Sequence, residues 1–122
     1  MFWVSFALTL ALAAVAITAG LMRKRKLHLL AGPATIALLA VTVVLTERLV
    51  KTRDFPAEEL RIHLWFAKSG GVLALLVAVT GILLVFRPGM RKVHLAMVVL
   101  FLLATVAATG TGIWVFDLSS PK

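Results

Sequence analysis

From Phe2 to Met22 the chain carries no charged side chain, and comparable apolar runs recur three more times. Leu27 to Thr46 is interrupted only by His28, Ile62 to Phe86 by His63 and Lys68, and Val93 to Phe116 by His94. Each run reaches the roughly 20 residues that an α-helix needs to cross about 30 Å of hydrocarbon, where the backbone has no water to bond to and must bond to itself. A chain of 122 residues that is 61% hydrophobic and 15% charged, with a mean hydropathy of +1.05, cannot hide that surface inside a small soluble domain. The expectation is an all-α integral membrane protein. It is read as one transmembrane domain over residues 1–122, a four-helix up-and-down bundle with helices near 2–22, 27–48, 56–86 and 92–116. No basic stretch precedes the first run, which is read as a retained helix and not as a cleaved signal peptide.

The connections set the expected orientation. Arg23-Lys24-Arg25-Lys26 joins the first two spans, and Arg87, Arg91 and Lys92 flank the turn formers Pro88 and Gly89 between the last two. These short loops hold seven basic residues and no acid, whereas the middle loop mixes Glu47, Arg48, Lys51, Arg53, Asp54, Glu58, Glu59 and Arg61. The positive-inside rule then places the two basic loops in the cytoplasm and both termini outside, in the inner (cytoplasmic) membrane. Trp3, Trp65 and Trp114 all fall at the outer ends of their helices, where an aromatic belt would anchor them. The net charge of +8 is thereby accounted for by topology, and no nucleic-acid partner is implied. Pro56, followed by Ala57, Glu58 and Glu59, reads as the start of the third helix.

Within this frame one short pattern repeats. "RKLHL" opens the second span at Arg25 to Leu29, and "RKVHL" opens the fourth at Arg91 to Leu95. From His63 and from His94 alike, "HL" is followed by fifteen residues and then "TGI", at Thr80 and at Thr111. Internal repeats of this kind often frame a shared site in membrane proteins. Helical stepping puts each histidine on a stripe rich in small or hydroxyl residues: Gly32, Thr35, Leu39, Thr42 and Thr46 with His28; Ala67, Gly70, Ala74, Val77 and Gly81 with His63; Val98, Phe101, Thr105, Ala108 and Gly112 with His94. Thr9, Ala13, Ala16 and Gly20 give the first helix a similar seam. Small residues line helix contacts in bilayers while large aliphatics face lipid, so the histidines are expected to point inward.

His28 and His94 open the second and fourth helices on the same side. Two imidazoles at one depth on opposed helices are what axial ligation of a haem iron requires. In that reading His28 and His94 are the metal ligands of one haem b per chain. Gly32 and Thr35 make room for the macrocycle, helped by a kink at Pro33, and Arg25, Lys26, Arg91 and Lys92 neutralise the propionates. The plainer reading is a basic anchor followed by an amphipathic residue at the interface. His63, on the outer side, has no histidine at its level. It would ligate a second haem with a partner across a dimer, bind a quinone carbonyl, or simply hydrogen bond. Lys68 lies about one turn inside the third helix, where an ammonium must snorkel or pair with an anion.

Several chemistries are excluded. The chain has no cysteine and no tyrosine, so disulfides, thiolate metal sites and tyrosyl relays are impossible. No Asp or Glu lies inside a span, which removes carboxylate-based proton pumping or cation coupling. Three histidines without a carboxylate make a poor zinc site, and no nucleophile–base pair is visible.

Histidines at helix entries, paired between the second and fourth helices, with "TG" near helix ends, resemble the transmembrane di-haem cytochrome b superfamily over roughly Arg25 to Phe116. The resemblance implies His28 and His94 as axial ligands of a b-type haem. It departs from that pattern in having three histidines where two haems need four. The same features are similar to a small four-helix membrane family associated with haem–copper oxidase assembly, which would imply an accessory role. The expectation is therefore a membrane b-type cytochrome or haem-binding subunit passing electrons, for example from quinone, in a homo-oligomer or larger membrane complex. The alternative is a haem-free structural or assembly subunit.

Overall fold

A computed structural model describes all residues from Met1 to Lys122. The fold is all-α, with four helices each long and apolar enough to span a membrane: α1 (Phe2–Leu21), α2 (Arg25–Val50), α3 (Ala57–Phe86) and α4 (Arg91–Leu118). The protein is accordingly a multi-pass membrane protein. The helix ends lie within about two residues of those expected from the sequence. Helices α2, α3 and α4 are somewhat longer than their apolar runs, because bilayer-length helices extend into the headgroup layer. At 1.5 Å per residue, the 30 residues of α3 reach about 45 Å.

The chain forms two compact units, Met1–Thr52 and Arg53–Lys122, each an antiparallel helical hairpin. In the first, α1 packs on α2 through the small and hydroxyl residues Ser5, Thr9, Ala16 and Ala19 against Ala31, Thr35 and Thr42, all buried. The tight turn between them is closed by bonds from the Arg23 and Lys24 amides to the Gly20 and Ala19 carbonyls, with Arg23 in the left-handed region at φ 57°. At the far end, Ser5 and Thr9 meet Thr42 at 2.7 and 3.0 Å, while Thr9 and Thr42 also donate to the carbonyls of Ser5 and Leu38. That spends the hydroxyl hydrogens within the seam, where lipid offers no alternative partner. Helix α2 is continuous through Pro33.

In the second hairpin, α3 and α4 are joined through a 3-10 turn at Pro88–Met90. Gly70, Ala74 and Thr80 of α3 are buried against α4. Pro56 stands just before α3 as its N-cap, with Glu58 and Glu59 in the first turn, an arrangement that suits the positive end of the helix dipole. The sequence did not foretell a small clasp at the other end of the hairpin. Strand β1 (Arg53–Asp54) pairs antiparallel with β2 (Ser120–Pro121). Arg53 donates to the Ser119 hydroxyl at 2.6 Å and its carbonyl at 3.0 Å, and its guanidinium lies 4.4 Å from the centre of the Phe116 ring.

Candidate functional site: three imidazoles seated on glycine

Every histidine is seated in the same way, across its own hairpin and over a glycine of the facing helix. In the first hairpin, His28 sits at the start of α2 and its Nδ1 lies 2.7 Å from the Ala16 carbonyl near the end of α1. A β-carbon on Gly20 would lie 3.1 Å from that Nδ1, so only glycine gives the ring its full room. In the second hairpin, His94 at the start of α4 meets the Thr80 hydroxyl at the end of α3, 3.0 Å from Nδ1. A β-carbon on Gly81 would lie 3.2 Å from its Cε1. At the opposite end of the same hairpin, His63 meets the Thr111 hydroxyl at 3.1 Å, over Gly112, whose β-carbon would lie 3.0 Å from Cε1.

The acceptors fix which ring nitrogen carries the proton. A carbonyl can only accept, so His28 donates from Nδ1 to Ala16. Thr80 already donates its hydroxyl hydrogen to the Leu76 carbonyl at 2.7 Å, and Thr111 donates to Ala107 at 2.7 Å. Each of those hydroxyl oxygens therefore accepts from the imidazole. All three histidines, when neutral, are Nδ1–H tautomers in which Nε2 carries the lone pair. That is the tautomer of an imidazole whose Nδ1–H is held by a backbone or hydroxyl oxygen while Nε2 ligates a metal.

The remaining expected site residues are placed as follows. Thr35 is buried in α2 and donates to the Ala31 carbonyl, while the space beside Gly32 is open. Arg25, Lys26, Arg91 and Lys92 are exposed at the first turns of α2 and α4, outside both ion pairs of the protein. Four cations at helix N-termini oppose the helix dipole, so they are there for a reason other than helix stability. Lys68 lies five residues beyond His63 and leaves α3 from the other side, in a groove that His63 does not line. No three His, Asp or Glu side chains come together in a group that could hold a metal ion.

No family model, curated protein or solved structure matches the chain.

The seats themselves were half visible. Both "TG" pairs stood out as repeats, yet their role as the acceptors of the other helix's histidine did not. The signal was the equal interval: His63 to Thr80 and His94 to Thr111 are each 17 residues, about 25 Å of helix. In an antiparallel hairpin with equal intervals, the register that sets one histidine opposite the other helix's threonine sets both. Ala16 had no such signal, because a backbone carbonyl carries no side-chain signature.

Proposed function

We propose that this protein is a membrane b-type cytochrome or haem-binding subunit in electron transfer, with His28 and His94 as the axial ligands. The observation that carries the reading is the tautomer. Both imidazoles have Nδ1–H tied to an oxygen of their own hairpin, which orients the ring; a metal would take the other nitrogen, Nε2. Two neutral imidazoles would form a suitable donor set, and counting spans would bring α2 and α4 into the membrane from one face. The unpaired cations Arg25, Lys26, Arg91 and Lys92 begin those two helices, next to the histidines, and would bind the propionates. Haem bound there would supply one-electron iron chemistry. The protein would orient the ligands, neutralise the carboxylates and keep water from the iron. The likeness to the di-haem cytochrome b superfamily supports the same assignment, as do the basic turns, which would face the cytoplasm with both termini outside. Quinone is the proposed electron donor class, and a partner subunit the acceptor.

A second reading has an observation of its own. His63 has no histidine at its level, yet it occupies the same threonine–glycine seat as His94. A feature shared by paired and unpaired histidines is a packing feature, which favours a haem-free structural or assembly subunit.

One experiment separates the two. A dithionite-reduced minus oxidised spectrum of the purified protein, with pyridine haemochrome quantification, is expected to show a b-type α-band at about one haem per chain, lost in His28→Ala and in His94→Ala. Colourless protein from haem-replete cells would overturn the cytochrome reading and leave the packing one.

A further inference from the structure

We propose that the face of α3 turned away from α4 is a binding site for an anionic phospholipid, with the headgroup phosphate held at Lys68. This site is independent of any haem. The stripe runs through Arg61, Leu64, Trp65, Lys68, Val72 and Leu73, which line a groove of about 700 Å³. It lies opposite the seam where Gly70 and Ala74 are buried against α4. Trp65 is 74% exposed.

Three observations define the occupant. The first is an unanswered cation. Lys68 takes part in no hydrogen bond or ion pair, and Glu58, in the first turn of α3, is already bound to Arg61 at 2.7 Å. A lysine inside a transmembrane helix is costly unless it snorkels to the interface or an anion meets it.

The second is depth. Lys68 is 18 residues from Phe86, about 27 Å along the helix, close to the roughly 30 Å of the hydrocarbon core. With the end of α3 at one boundary of the core, Lys68 reaches the other, and its extended side chain rises to the level of the lipid phosphates. Trp65, one turn outward, sits at the same boundary and offers an indole N–H donor. Below them Val72 and Leu73 give an acyl chain an apolar track.

The third is charge selection. A zwitterionic headgroup brings its own ammonium next to Lys68 and Arg61, whereas a phosphodiester with an uncharged headgroup brings only the anion. A freely diffusing phosphate would satisfy the lysine but not the apolar track.

The test is native mass spectrometry of the protein after equilibration in mixed micelles of phosphatidylglycerol and phosphatidylcholine. Wild type is expected to retain phosphatidylglycerol preferentially. Lys68→Gln is expected to lower that retention about five-fold, with Arg61→Gln giving a smaller loss, Lys68→Arg restoring it, and Lys51→Gln, in the loop before α3, leaving it intact. Circular dichroism confirms that each variant keeps its helices. Equal retention by wild type and Lys68→Gln, or an equal loss in Lys51→Gln, overturns the site. Displacement of the lipid by millimolar inorganic phosphate overturns the lipid assignment in favour of a free anion. A change of oligomeric state in Lys68→Gln without a change in lipid retention assigns the face to a second copy and likewise overturns it.

Discussion

His94 and Thr80 face each other across the second hairpin at 3.0 Å, and His63 and Thr111 repeat the same contact at 3.1 Å at its other end. The hairpin is thus pinned twice by one device, and each pin stands next to a glycine whose missing side chain makes room for the ring.

Filling those gaps should be costly in a position-specific way. Gly81→Ala and Gly112→Ala place a methyl 3.2 and 3.0 Å from the imidazole Cε1, and each should lower stability by about 1–3 kcal/mol as the ring is pushed off its oxygen. Gly71 and Gly110 have nothing within 4 Å of a new β-carbon; alanine there should be neutral or stabilising by about 0.5–1 kcal/mol. Thermal unfolding in detergent compares the four. Equal effects would mean that the glycines do not serve the histidines.

The oxygen matters separately from the space. Thr80→Val keeps the shape and removes the acceptor, which should cost about 1–2 kcal/mol in a bilayer or detergent setting, and Thr80→Ser should recover most of it. The ring nitrogens of His94 provide the direct readout. ¹⁵N shifts should report Nδ1–H in wild type and in the serine variant, and a shifted Nδ1 resonance in the valine one.

The first hairpin has hydroxyls where the second has a histidine seat. Thr42 is bonded to both Ser5 and Thr9, so Thr42→Val should destabilise the α1–α2 hairpin by about 1–2 kcal/mol. Thr46→Val, at a threonine whose hydroxyl donates only to the Thr42 carbonyl of its own helix, should have little effect. Chemical denaturation of the two variants side by side checks the ranking.

Arg53 combines two donors to Ser119 with a stacked contact on Phe116. A lysine cannot reproduce that fork, so Arg53→Lys should free the tail nearly as much as Arg53→Ala. Hydrogen exchange at residues 119–122 is the readout; protection that survives in Arg53→Lys would show that charge alone holds the clasp.

Arg23 adopts φ 57° at the end of α1, a conformation that costs a side-chain-bearing residue roughly 1–2 kcal/mol. Arg23→Gly should raise the thermal stability of the first hairpin, provided that the remaining basic residues of the turn still set its orientation. An unchanged or lower melting temperature would show that the arginine contributes more than its backbone strain costs.

The order of the amino acids was enough to dictate the solvent and the outline. Four uninterrupted apolar runs have one low-energy solution in a bilayer, the helix, and the small-residue stripes told which side of each helix packs. Thr9, Ala16, Thr35, Thr42, Gly70 and Ala74 are all where that periodicity placed them, because a repeat of 3.6 residues converts directly into a face. The histidines were legible as inward-facing for the same reason.

Only the tertiary structure decided what each histidine touches. An antiparallel hairpin sets the start of one helix against the end of the next, so the partner of His28 is the carbonyl of Ala16, and the partners of His63 and His94 are threonines 48 and 14 residues away. Periodicity describes one helix at a time and carries no information about a neighbour's register. The clasp of Arg53 on Ser119 was hidden likewise, since two-residue strands have no pattern to read. Lys68 could be flagged from its cost alone. That it faces away from α4, beside Trp65 and without a partner, followed only once α3 had been packed on its other side.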